Sequence, residues 1–176
     1  MAKKTILEAA HAENAFTFSD AKHPNGTHVA VGFYPTKLMV NTTTGWTYVT
    51  PELGQQMVDI IWVAKLSAMF AFGMGPDIYK SVDGLTWTKI QGPNVKWRNV
   101  CVDQAGPDIV GITDTSIIHT RDMITFTESV APTPPSAIGY VAALGWFVLA
   151  GPTPKGADYP ALFTSINGLT YTEVLT

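Results

Sequence analysis

Four short segments of this chain repeat one another at near-constant spacing, and that repetition constrains the fold more than any other feature. The most complete copy is Ser81-Val82-Asp83-Gly84-Leu85-Thr86-Trp87-Thr88. Near the C-terminus lies Ser165-Ile166-Asn167-Gly168-Leu169-Thr170-Tyr171-Thr172. Between them is Thr120-Arg121-Asp122-Met123-Ile124-Thr125-Phe126-Thr127, and upstream is Thr42-Thr43-Thr44-Gly45-Trp46-Thr47-Tyr48-Val49. The copies begin at residues 42, 81, 120 and 165, at intervals of 39, 39 and 45. Their common grammar is a hydroxyl residue, a short polar residue two places on, usually a glycine, then a threonine and an aromatic.

Each copy is preceded by short runs rich in β-branched and aromatic residues, bounded by Gly, Pro, Asp or Asn, which read as strands. In the second repeat these are 60–64, 69–73 and 77–81, with 86–90 leaving the motif. The fourth offers 139–143, 147–151, 161–165 and 170–174; the third 100–103, 109–112, 116–120 and 125–130; the first 16–19, 28–32, 37–42 and 47–50. Four strands per roughly 40 residues is the period of a propeller blade. The expectation is an all-β chain, a small β-propeller of about four four-stranded blades at 15–50, 51–92, 93–131 and 132–176, preceded by an N-terminal arm over residues 1–14. An incomplete ring that needs other chains to cover its edges is the alternative.

At this point the motif resembles the Asp-box, the Ser-x-Asp-x-Gly-x-Thr-Trp hairpin of sialidase-like β-propellers. Here it is one residue shorter, and that short form is similar to repeats in propeller-like proteins of bacteria and tailed phages. The resemblance implies a structural role for Thr42, Thr44, Gly45 and Tyr48, for Ser81, Asp83, Gly84 and Trp87, for Thr120, Asp122 and Phe126, and for Ser165, Asn167, Gly168 and Tyr171. The physics agrees. An Asp at the third position accepts backbone N–H bonds within its own turn. The glycine takes a conformation that other residues avoid. The aromatic buries a large apolar area.

The resemblance also raises enzyme chemistry, which this sequence does not support. Sialidase-type sites gather three arginines around a carboxylate, with a Tyr nucleophile and neighbouring acids. This chain has only Arg98 and Arg121. Glu52, Asp77 and Asp158 are the acids that a two-carboxylate glycosidase could use, and they read as exposed loop acids. His11, His23, His28 and His119 are scattered without metal-ligand spacing, so no metal site is expected. Cys101 stands alone within Val100-Cys101-Val102 and reads as a structural thiol. No phosphate-binding glycine loop occurs, and no cofactor is expected. The chain is read as not an enzyme.

Composition bears on partners. Apolar residues make up 46 % of the 176 residues, so a packed core is expected. Charged residues are only 14 %, which suggests that part of the surface is covered in an assembly. Eleven Lys and Arg against fourteen Asp and Glu give a net charge of −3, which argues against nucleic acid as a partner. No stretch approaches the roughly 20 apolar residues of a membrane-spanning helix, so no membrane insertion is expected. The N-terminus lacks the apolar core of a signal peptide, so synthesis in a host cytoplasm is expected.

Candidate contact residues come from loops. Phe33, Tyr34, Trp97 and Tyr159 fall on the turns between second and third strands or on blade connectors, where aromatics suit sugar stacking or a protein contact. The fourth repeat carries six extra residues, the difference between the 45- and 39-residue intervals, placed within 151–160. Lys3, Lys4, Ile6 and Leu7 in the arm are the candidate tether. The combined reading is a non-enzymatic structural or attachment component of a bacteriophage virion, a head decoration or tail accessory protein. Its expected partners are other virion proteins in several copies. The alternative is a carbohydrate-binding, lectin-like propeller module that meets a host-surface glycan.

Overall fold

Burial follows two patterns in this chain: Trp146–Pro152 alternates between buried and more exposed residues, while Ala68–Gly73, Ile109–Ile112 and Ser116–Thr120 are buried along their whole length. In the computed structural model, residues 17–32, 38–42, 45–48, 54–152 and 160–175 are described. Those residues form four antiparallel four-stranded sheets, each with its strands side by side in chain order. The first holds β1 (Thr17–Lys22), β2 (His28–Gly32), β3 (Leu38–Thr42) and β4 (Gly45–Tyr48). The second holds β5 (Met57–Val63), β6 (Ala68–Gly73), β7 (Asp77–Ser81) and β8 (Thr88–Gln91). The third holds β9 (Asn99–Val102), β10 (Ile109–Ile112), β11 (Ser116–Thr120) and β12 (Phe126–Val130). The fourth holds β13 (Ala137–Val141), β14 (Trp146–Pro152), β15 (Pro160–Ser165) and β16 (Thr172–Leu175). The all-β architecture of four four-stranded sheets is the one the repeats predict. The only helical segment among the described residues is a 3-10 turn at Ala64–Leu66.

The chain divides into two compact units, Met1–Val63 with Ser67–Asn94, and Ala64–Leu66 with Val95–Thr176. In the first unit, β1 packs beside β5. Alternation on β2 aims Val29 and Val31 at the second sheet, where they meet Leu38, Val40, Met57, Ile60, Met69 and Ala71 in one core. Ala30, on the opposite face of β2, packs instead with Met39, Trp46 and Tyr48. In the second unit, β9 packs beside β13. Val110, Ile112 and Ile117 of the third sheet meet Ile138, Phe147, Leu149, Ala161 and Phe163 of the fourth.

Each unit ties its two sheets together at the same repeat position. Ile60 lies opposite Ala71, two residues beyond the partner of Ser81. Ile138 lies opposite Leu149, two residues beyond the partner of Ser165. The Ile60 N–H donates to Ser19 Oγ at 3.3 Å, and the Ile138 N–H donates to Asn99 Oδ1 at 3.0 Å. A polar side chain on one sheet's first strand thus satisfies a backbone donor on the next, which leaves the intervening space to apolar packing.

The first repeat departs from its motif. In the other three, the hydroxyl residue that opens the motif stands across from the aromatic, as the direct Thr120–Phe126 pairing shows. In the first sheet Thr42 pairs with Gly45, only three residues on, and Tyr48 pairs with Met39. The alignment of Thr42, Gly45 and Tyr48 with the other copies is therefore corrected: they belong to a tighter hairpin. The Trp46-Thr47-Tyr48 run pairs best as strand, and Gly45, at φ 117, accommodates the early reversal. Thr44 lies outside the described residues.

Candidate functional site

Three hairpins share one hydrogen-bond scheme. In the second sheet Ser81 Oγ accepts from the Gly84 N–H at 2.8 Å and donates to Asp83 Oδ1 at 2.9 Å. The same Asp83 oxygen accepts from the N–H groups of Leu85 and Thr86, both at 2.8 Å. Thr120 and Asp122 repeat the pattern, with Met123, Ile124 and Thr125 as backbone donors. Ser165 and Asn167 do so again, with Gly168, Leu169 and Thr170. The Thr86 N–H above all, then that of Leu85, hold the Asp83 carboxyl below the usual carboxylate range against the opposing effect of burial. The N–H groups of Thr125 and Ile124 do the same for Asp122.

The residue after the Asp or Asn is left-handed in every case, at φ 79 for Gly84, 70 for Gly168 and 60 for Met123. A β-carbon at Gly84 would stand 2.8 Å from Thr27 Cγ2, and one at Gly168 would overlap Val110 Cγ2. These two turns press on the preceding sheet of their own unit, which is why glycine is required there. Met123 keeps the conformation as a non-glycine and is buried. The aromatics follow: Trp87 and Tyr171 are half-buried against the cores of the first and second units. Trp87 Nε1 donates to Gly84 O at 3.2 Å.

Antiparallel order places the first and third turns of each sheet at one end. At that end of the fourth sheet lies a depression of about 410 Å³, lined by Trp146, Thr164, Ile166, Asn167, Thr170 and Thr172, together with Ser165. Gly145, at φ 66, closes the preceding turn, with its N–H and that of Leu144 donating to Val141 O. β14 then begins at Trp146. Because Phe147, Leu149 and Gly151 face inward, Trp146 faces out and is 38 % exposed. Thr164 and Thr172 are cross-strand partners, and Thr164 pairs on its other side with Val148. Ile166, at the hairpin tip, is 79 % exposed. Among the described residues no ionisable one lines the depression.

Asn167 distinguishes this turn. Its Oδ1 accepts from the Ser165 hydroxyl and from the Leu169 and Thr170 N–H groups, at 2.9–3.0 Å. Those three donors fix the amide orientation. Its Nδ2 meets no acceptor among the described residues and remains a donor at the rim of the depression.

The sequence-named residues are dispersed. Trp97 is 2 % exposed, with its ring lying over Gly111 where a β-carbon would overlap it. Its reading as a contact residue is corrected: it fills a core space that a glycine leaves open. Phe33, Tyr34 and Tyr159 lie outside the described residues, as do Lys3, Lys4, Ile6, Leu7, Glu52 and Asp158. Asp77 is ion-paired with Lys89 at 2.7 Å. Arg98 is bound by Asp114 and Arg121 by Asp108, which also takes His119 Nε2 at 2.6 Å. Burial raises the Asp108 carboxyl, but the Arg121 and His119 bonds outweigh it and hold it below the usual range. Cys101 is half-buried beside the second unit's core. The Trp146 depression was not anticipated, although inward-facing Phe147 and Leu149 imply an outward Trp146 from alternation alone.

No protein-family model and no curated protein matches the chain. Its fold does match solved structures. Virginiamycin B lyase from Staphylococcus aureus superposes with a TM-score of 0.67 at 16 % identity, covering 90 % of this chain and 55 % of the lyase. Hydrazine synthase from Kuenenia stuttgartiensis gives a TM-score of 0.64 at 11 % identity, over 84 % of this chain and 50 % of that one. YCF48, solved bound to D1 peptide, gives 0.58 at 14 % identity, over 91 % and 67 %. The structural neighbours are β-propeller-like, with four-stranded sheets. This chain is built on a β-propeller scaffold. It spans about half the length of the lyase and synthase chains, and identities this low carry the fold alone.

Proposed function

We propose that the protein is a non-enzymatic structural or attachment component of a bacteriophage virion, a head decoration or tail accessory protein on a propeller scaffold. One observation carries this reading: in each of the three motif hairpins the opening hydroxyl and the Oδ1 of the Asp or Asn are engaged in closing their own turn. The motif therefore serves as a fastener, and its short form resembles repeats of tailed-phage proteins. The pairing of Arg98, Arg121 and Asp77 each with an opposite charge supports a non-catalytic role. Mass spectrometry and cryo-electron microscopy of purified particles test the reading. The chain should appear at fixed stoichiometry and occupy regular positions. Its absence from washed, intact particles sinks the proposal.

A second reading, a carbohydrate-binding module, is favoured by the Trp146 depression, which combines an exposed indole with hydroxyl and amide groups. It is compatible with the first if the particle meets host glycans. A glycan array tests it, and a blank array across neutral and acidic sugars removes it.

A further inference from the structure

We propose that the Trp146 depression is a subsite for a neutral pyranose, bound with its C–H face on the indole. This deepens the carbohydrate-binding reading and rests on it. Small-ligand sites pair an apolar wall with a few placed polar groups, in volumes of about 300–1,000 Å³. The depression falls in that range at about 410 Å³. Trp146 supplies the wall and is presented outward by strand alternation, not by a loop. Thr164, Thr170 and Thr172, each carrying a hydroxyl, line the same space. A pyranose has the matching anatomy, an apolar C–H face ringed by hydroxyls.

Asn167 selects the charge class. The second and third hairpins carry Asp83 and Asp122 at this position, so a copy of their sequence would set a carboxylate on the rim. With Asn, the turn keeps its three bonds to Oδ1 and the outer atom becomes a donor, Nδ2. Among the described residues the rim is then neutral, with neither an anion to repel an acidic sugar nor a cation to bind one. A carboxylated sugar would lose its hydration and gain no partner. Because the turn is already locked, little ordering is needed on binding.

Saturation-transfer NMR and tryptophan fluorescence, with lactose, maltose and diacetylchitobiose as neutral probes and sialyllactose as the anionic one, test this. At least one neutral sugar should bind and perturb the indole, while sialyllactose should not. Trp146→Ala should weaken binding at least about tenfold, or about 1.4 kcal/mol. Asn167→Asp should do likewise while melting as the parent does, since two sister hairpins fold with Asp. Neutral-sugar binding untouched by both variants overturns this site and leaves the carbohydrate reading standing. No binding by any sugar overturns both. Equal binding of sialyllactose overturns the neutral assignment. A Trp146→Ala change that turns an oligomer into a monomer by light scattering also overturns it, because the surface is then a contact between copies.

Discussion

Tyr171 shows how one atom can work against its own residue. Its ring packs against the second unit's core, yet its hydroxyl is buried without a hydrogen-bond partner among the described residues. Burial pushes its pKa far up, and Cys101 adds to the shift. The third hairpin carries Phe126 at the equivalent place, so the fold accepts a ring without the oxygen. Tyr171→Phe should stabilise the protein by about 1 kcal/mol, read as a melting rise of about 3 °C. A lower melting temperature would mean that the hydroxyl has a partner. The opposite sign is expected at Gly168, where φ is 70 and a β-carbon would overlap Val110. Gly168→Ala should cost about 2 kcal/mol through backbone strain and overpacking. Trp87→Ala should cost about 3 kcal/mol, because it removes a ring from the first unit's core and the bond to Gly84 O. A variant that melts like the parent would refute the fastening role of that hairpin.

At the scale of the hairpin, the choice of Asp or Asn becomes a pH response. Asp83 and Asp122 are held below the usual carboxylate range by backbone N–H groups of their own turns. A depressed folded value contributes stability that is present above the ordinary pKa, near 4. That contribution is lost as pH falls through the folded value. The β7–β8 and β11–β12 hairpins should therefore loosen under acid, and β15–β16, fastened by Asn167, should not through this route. Amide protection factors at Leu85, Thr86, Ile124 and Thr125 should fall as the pH is taken below about 4, with Leu169 and Thr170 as the internal control. Asp83→Asn should remove the response at Leu85 and Thr86 alone. These hairpins were legible in the sequence because a turn needs particular residues at fixed offsets: a hydroxyl, an acid or amide, a left-handed residue. Met123 shows that the third requirement concerns conformation and not composition. The first hairpin was misaligned because Thr42 and Tyr48 satisfy the pattern in composition, while strand pairing at Gly45 overrides it. Trp97 was misread for a related reason, since a loop aromatic becomes core when a neighbouring strand offers a glycine. The Trp146 site depends on two hairpins side by side, a relation that a linear pattern does not display.

At the scale of the whole chain, each of the four sheets already draws four strands from the described residues, the last being β16 at Thr172–Leu175. No sheet among them needs a strand from residues 1–14. Removal of that segment should therefore leave the β-sheet circular dichroism and the melting temperature unchanged. It takes away Lys3, Lys4, Ile6 and Leu7, two cations beside two large aliphatics, a combination suited to an acidic, partly apolar protein surface. If these residues tether the chain to a particle, the truncated protein should remain a folded scaffold and fail to join particles in a copurification assay. Separate alanine replacements at the lysine pair and at the aliphatic pair then divide the loss between charge and burial, because only the first should depend on salt. Unfolding of the truncated chain would make the segment part of the fold and remove it as a tether. Unimpaired incorporation would move the attachment to other candidates from the sequence, Phe33, Tyr34 and Tyr159.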